Sequence, residues 1–240
     1  MTPALERFPT KDELIAHVAA RAVALLQELT LQRERVDVCL TGGSVGVGVL
    51  SAMAEREDLG GIDFSRVHWW WGDDRFVPAD SADRNERQAR EALLDALSIP
   101  PQLVHELPAS DAGLSLGEAA VAASNELAEA EPFALTFLGV GPDAHVASLF
   151  PKHTGTQMRE RGVIAVGNSP KPPPERLSLT FAALNASERI WLVVAGEDKA
   201  QAVRAALGEF DPVAAPVTGA VGTKETLLFA DASAASLIEG

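Results

Sequence analysis

The chain has 240 residues and carries 34 acidic side chains against 20 Lys and Arg, which gives a formal net charge of −14. A field of that sign disfavours nucleic acid and anionic membrane surfaces, so we expect neither as a partner. An anionic small substrate would need a local basic pocket. With 47% hydrophobic residues the chain can build a substantial core, and we expect residues 1–240 to form a single domain.

Cysteine content and the N-terminal sequence indicate the cellular compartment. Cys39 is the only cysteine, so an intramolecular disulfide is excluded, and its place in the run Val36–Leu40 predicts a buried thiol. The N-terminal residues have no apolar stretch of signal-peptide length, and the chain has no run of about 18 apolar residues. We therefore predict a cytoplasmic protein.

Strand and helix patterns alternate along the chain. The capping-box spacing of Thr10 and Glu13 predicts a first helix over 11–29. Further helices are predicted over 49–56, up to 97 after a polar loop at 78–85, and over 115–130, 199–207 and 232–238. Strands are predicted at 36–40, 67–71, 103–107, 134–138, 162–166, 177–180, 190–195 and 226–229. This order predicts an α/β fold with a mostly parallel sheet covered by helices on both faces.

The stretch Leu135–Pro151 holds the strongest candidate for a proton-transfer group. An apolar strand pattern ends in glycines and is followed by apolar residues with helical spacing, which predict a helix that begins at the glycine turn. This pattern places His145 at the carboxyl edge of the sheet, where open α/β sheets bind ligands. Imidazole titrates near neutral pH, and Asp143 can orient it and support its protonated form. A structural or merely exposed histidine is the alternative.

A glycine-rich turn, residues 41–48, follows the strand Val36–Leu40. Thr41, Gly42, Gly43 and Ser44 can cradle a phosphate at a helix N-terminus, or they can form an ordinary turn. The turn lacks the Gly-Lys-Ser/Thr ending of a P-loop, which disfavours a nucleotide site. It also matches the Gly-x-Ser-x-Gly nucleophile elbow, but the order of the possible partners along the chain argues against Ser44 as a nucleophile.

Basic residues follow or flank several predicted strands. They are Arg75, Lys171, Arg176 and Lys199. Each can be a solvated or salt-bridged surface charge, but together they would form an anion pocket if their loops converge. No histidine cluster has metal-ligand spacing, so we expect no metal site.

Four motifs in chain order resemble the signatures of the 6-phosphogluconolactonase family. They are WGDDRFVP at 71–78, GVGPDAHVASLFP at 139–151, SPKPPPERL at 169–177 and GEDKA at 196–200. The resemblance spans about residues 40–204. Its Ser-Leu-Phe-Pro ending favours the lactonases over the related glucosamine-6-phosphate deaminases.

The resemblance implies a modified Rossmann-like α/β/α fold and hydrolysis of 6-phospho-D-glucono-1,5-lactone in the pentose phosphate pathway, without an organic cofactor. It implies that His145 is the general base and Asp143 its neighbour in the motif. It also implies that the turn at 41–44 and the four basic residues surround the substrate. A sugar-phosphate isomerase or deaminase and a non-catalytic sugar-phosphate sensor are the rival functions. A monomer or a homodimer is expected.

The chain departs from the family pattern in two motifs. Ala144 stands where the family has glycine between the aspartate and the histidine, and Val45-Gly46 replaces a Thr-Pro pair. If the glycine serves a positive φ or a close approach of substrate, Ala144 would strain or obstruct the site.

Overall fold

A parallel sheet of seven strands forms the centre of the molecule in the computed structural model, which describes residues 2–238. Along the chain, its strands are β1 (Ala4–Phe8), β2 (Val36–Leu40), β3 (Val67–Trp71), β5 (Val104–His105), β6 (Leu135–Gly139), β9 (Arg189–Val194) and β10 (Glu225–Asp231). Across the sheet they run in the order β1-β10-β9-β6-β2-β3-β5. From β2 the chain first adds β3 and β5 on one side, and it then adds β6 on the other side of β2. Such a reversal of strand order leaves a crevice for a ligand at the carboxyl ends of the strands.

A small antiparallel sheet lies beyond the carboxyl end of β3. It consists of β4 (Asp73–Arg75), β7 (Val163–Val166) and β8 (Arg176–Leu179), in the order β4-β8-β7. Arg75 and Arg176 are directly opposite each other in the β4–β8 pair. Two of the four predicted cations are therefore brought together by strand pairing.

Helices surround the central sheet and complete the predicted three-layer α/β/α fold. They are α1 (Lys11–Gln32), α2 (Gly43–Ala54), α3 (Asn85–Ala89, continued by a π turn at Arg90–Leu94), α4 (Leu116–Ala128), α5 (Phe181–Leu184) and α6 (Ala200–Ala206). Thr10 caps α1 by accepting the Glu13 N–H, and Ser115 and Glu118 form a capping box on α4. By length and composition α1 is apolar enough to span a membrane, but residues such as Leu14, Val18 and Leu26 bury it in the core.

The buried core confirms several local predictions. Cys39 is a buried free thiol, and burial raises its pKa. The bounds predicted for the strands at 36–40 and 67–71 are the observed ones. Each of the other predicted strands begins and ends within two residues of its observed bounds, but β5 is shorter than the predicted strand 103–107. The strands β1 and β4 were not predicted. Helix α2 begins at Gly43 rather than at residue 49, so most of the predicted glycine-rich turn is helical.

Two predicted helices are wrong. Residues 232–238 form successive turns, in which Asp231 accepts the Ala234 N–H through its side chain and the Ala235 N–H through its backbone. The segment after Gly141 is also irregular. Ala144 and Ala147 have φ values of 65° and 49°, which a right-handed helix cannot contain, and the Gly141 N–H donates to the His145 carbonyl across a tight turn.

Candidate active site

A cavity of about 300 Å³ opens at the carboxyl edge of the sheet, where the ends of β2, β3, β6 and β9 meet. Its lining is Thr41, Gly42, Gly43, Asp73, Arg75, Asn85, Gly139, Val140, Gly141, His145, Ala147, Lys171, Pro172, Arg176 and Lys199. The hydroxyl of Thr41 accepts the Gly139 N–H at 3.1 Å and thereby ties the end of β2 to the end of β6. The cavity thus sits at the crevice that the strand order defines.

The His145 imidazole lies on the wall of this cavity. Its Nδ1 is 2.5 Å from Asp143 Oδ1, and its ring packs 4.6 Å from the Phe150 ring at an angle of 43°. A side chain at Gly141 would overlap the imidazole, so the glycine provides the space that the ring occupies. Because Asp143 accepts from Nδ1, the proton is assigned to that nitrogen and Nε2 is the basic atom.

The electrostatics of Asp143 favour this arrangement. Partial burial works to raise its pKa, but the hydrogen bond with His145 and the charges of His145 and Lys171 outweigh it and lower the pKa to about 2. Lys171 Nζ lies 3.7 Å from the same oxygen of Asp143. The carboxylate is therefore ionised at neutral pH and can hold a protonated imidazole.

The N-terminus of α2 points at the cavity. Its cap, Gly42, supplies no side-chain hydrogen bond, and its first turn has no acidic residue. Gly43 has a φ of 82°, a conformation that favours glycine. The first N–H groups of a helix have no partner within the helix, so this turn and the helix dipole can together bind an anion beside Thr41.

Four cations line the same space, namely Arg75 on β4, Arg176 on β8, Lys171 in the loop before β8 and Lys199 after β9. Arg176 is buried, donates to the carbonyls of Lys171, Pro172 and Pro173, and lies 5.7 Å from the Phe150 ring centre. Burial and the charges of Lys199 and Arg176 lower the pKa of Lys171, despite the opposing effect of Asp143. Repulsion among cations held this close would be relieved by an anionic ligand.

The structure brings together most of the residues that the sequence singled out. Lining the cavity are Thr41, Gly42, Gly43, Arg75, His145, Lys171, Arg176 and Lys199. Asp143 does not line the cavity but contacts His145, which does. Ser44 is exposed and does not line the cavity. Their roles remain predictions.

Asn85 and the backbone of Gly139–Gly141 also line the cavity, although they are not among the site residues that the sequence predicts. Asn85 ends a polar loop in the sequence, and nothing in that loop indicates the contact with β4 that brings it to the cavity. Among residues 2–238, no group of three or more His, Cys, Asp or Glu side chains has the arrangement of a metal site.

Ala144 has the positive φ that the family's glycine would adopt freely, so this residue strains the turn. Its side chain is buried and does not line the cavity.

Ala144→Gly should raise the free energy of unfolding by about 0.5–1 kcal/mol, since relief of strain exceeds the entropy gained by the unfolded chain. Urea unfolding measures this, and a less stable variant would show that the turn is not strained.

The structure is thus an α/β protein with a histidine–carboxylate pair and four cations at one cavity. A family model described as glucosamine-6-phosphate isomerases/6-phosphogluconolactonase matches residues 9–229. The chain belongs to this family.

Within this family, the chain is similar to several proteins named 6-phosphogluconolactonase. A Mycobacterium leprae protein named 6-phosphogluconolactonase is 43% identical, with 100% of both chains covered. A Streptomyces coelicolor protein of the same name is 44% identical over 98% of this chain and 94% of its own. The crystal structure of 6-phosphogluconolactonase from Thermotoga maritima matches with a TM-score of 0.84 and 26% identity, covering 95% of this chain and 99% of that one.

Proposed function

We propose that the chain hydrolyses 6-phospho-D-glucono-1,5-lactone to 6-phosphogluconate, the lactonase reaction of the pentose phosphate pathway. The observation that carries the proposal is the His145–Asp143 pair at the wall of a cavity that four cations also line. A general base and an anion pocket are the two elements that hydrolysis of a phosphorylated lactone requires. The identity to proteins named 6-phosphogluconolactonase supports this activity over the rivals.

In the proposed reaction, Nε2 of His145 takes a proton from water while the water oxygen bonds to the lactone carbonyl carbon. The carbonyl π pair moves onto oxygen and forms an oxyanion. When the oxyanion collapses, the bond from the carbonyl carbon to the ring oxygen breaks, and His145 returns the proton to that oxygen. The Asp143 carboxylate stabilises the imidazolium between these steps.

Lys171 is the cation beside the His145–Asp143 pair, and we assign it the stabilisation of the oxyanion. The backbone N–H groups of Gly139 and Gly141 are poor candidates because they already donate to Thr41 and His145. We assign the substrate phosphate to the N-terminus of α2, with Arg75 and Lys199 as flanking cations.

The rival functions are separated by parallel assays on one preparation. Acid release from freshly generated 6-phosphogluconolactone should exceed the spontaneous rate, and glucosamine 6-phosphate should release no ammonia. Ammonia release without lactone turnover would favour a deaminase. Thermal stabilisation by 6-phosphogluconate without turnover would favour a sensor.

Ser44 provides a further prediction, because it belongs to the Gly-x-Ser-x-Gly pattern. Ser44→Ala should change kcat by less than about threefold, since its exposed hydroxyl has no histidine partner among residues 2–238 and hydrogen bonds of this kind contribute modestly. A serine-directed phosphonate should leave the protein unlabelled. Covalent labelling at Ser44 with loss of activity would contradict the water mechanism.

Three further properties stay part of the proposal. We propose that residues 1–240 act as a single domain, that the protein is cytoplasmic, and that it is a monomer or a homodimer. The charge of −14 and the buried thiol support a cytoplasmic enzyme that binds neither nucleic acid nor membrane.

A further inference from the structure

Asn85 is a buried polar side chain that lines the cavity, and no step of the proposed reaction uses it. It is 3% exposed and is the first residue of α3. Its backbone N–H donates to Asp74 Oδ1 at 2.7 Å, and the N–H of Glu86 donates to Asp74 Oδ2 at 3.2 Å. The start of α3 is therefore fixed to β4, the strand that carries Arg75.

Both ends of the Asn85 amide have matched partners. Nδ2 donates to the Asp73 carbonyl at 2.8 Å, and Oδ1 accepts from the guanidinium of Arg75. A flipped amide would set NH₂ against the guanidinium donors and oxygen against a carbonyl, so the network determines the orientation. Asn85 thus presents its carbonyl oxygen to Arg75.

The same amide touches the turn at the start of α2. A Cβ on Gly42 would overlap the Asn85 side chain, which shows how closely the amide lies against this backbone. Asn85 therefore joins the anion-binding N-terminus of α2 to the guanidinium beside it. A glycine at position 42 is required for this contact.

The partner of Arg75 is neutral. Among residues 2–238, its guanidinium donates to the Asn85 amide and forms no ion pair with a carboxylate. A carboxylate at this place would neutralise the guanidinium, and an anionic ligand would then have to displace it. A neutral amide fixes the direction of the guanidinium and leaves its charge and its other donors available.

We propose that Asn85 is a positioning residue that directs the Arg75 guanidinium at the substrate phosphate. As a neutral partner, it leaves the positive charge of the guanidinium without a counter-charge until the phosphate binds. This role rests on the proposed binding of a phosphorylated ligand in the cavity. It predicts that Asn85 acts through Arg75, so its contribution should vanish when Arg75 is removed.

The test is a double-mutant cycle on binding of 6-phosphogluconate, measured by calorimetry, which does not depend on turnover. Asn85→Ala should weaken binding about tenfold when Arg75 is present and less than about twofold in an Arg75→Ala background. Equal losses in the two backgrounds would overturn the proposal. Asn125→Ala, a matched change at an exposed position on α4, should bind as the wild type does.

A second variant keeps the test valid if Asn85→Ala folds poorly. Asn85→Asp preserves volume but places a carboxylate on Arg75, so it should weaken binding of 6-phosphogluconate at least as much as alanine does. Melting temperatures of all variants check the fold. A folded Asn85→Asp protein with wild-type affinity would contradict the role of a neutral partner. Failure of turnover with this binding pattern intact would instead refute only the proposed reaction.

Discussion

Replacing His145 with alanine is expected to lower kcat for 6-phosphogluconolactone by about 10²–10⁴-fold, because the change removes the base that accepts the proton of water. KM should change little, since the cations that bind the phosphate remain. The measurement is the rate of acid release from freshly prepared lactone, corrected for spontaneous hydrolysis. His17→Ala, at a half-exposed position on α1, is the matched control and should keep the wild-type rate.

Two outcomes would contradict the role of His145. A folded His145→Ala protein with undiminished kcat would exclude it as the base. A large rise in KM at constant kcat would indicate that the imidazole binds substrate rather than activating water.

Asp143→Asn is expected to lower kcat by about 10²-fold at nearly constant KM. An amide in place of the carboxylate supplies no negative charge to the imidazolium that forms as water attacks, and it no longer fixes the tautomer. Steady-state kinetics of the lactone reaction measure kcat and KM separately. Asp83→Asn, at an exposed position, is the control and should leave kcat unchanged. An Asp143→Asn enzyme with wild-type kcat would show that the pair is structural.

Asp143 should also contribute to the dependence of stability on pH. Its pKa of about 2 lies below the ordinary value of 3.8, so between these values the unfolded chain binds more protons than the folded chain does. The stabilisation is complete above about pH 5 and is lost as the pH falls towards 2. The stability advantage of the wild type over Asp143→Asn should therefore shrink on acidification.

Local patterns predicted those parts of the fold that local chemistry decides. The strands at 36–40 and 67–71 are short, mostly apolar runs that are almost entirely buried, and their composition predicts their bounds. The turn around His145 does not, because its buried side chains have helical spacing whereas Ala144 and Ala147 adopt positive φ values. Alanine carries no sequence signal for that conformation.

Contacts between distant segments explain what the sequence could not show in the site. Motif residues at strand ends predicted the cations and His145, since the carboxyl ends of parallel strands meet at one edge. The guanidinium of Arg75, by contrast, donates to Asn85, which lies ten positions away along the chain. That pairing depends on how α3 docks on β4, which no local pattern reveals.

A crystal structure with bound 6-phosphogluconate would test the central claim most directly, because it fixes which end of the ligand meets which part of the cavity. We expect the phosphate at the N-terminus of α2 within hydrogen-bond distance of Arg75, and the product carboxylate within hydrogen-bond distance of His145 Nε2. A ligand bound in the reverse direction, or one whose carboxylate lies away from His145, would contradict it.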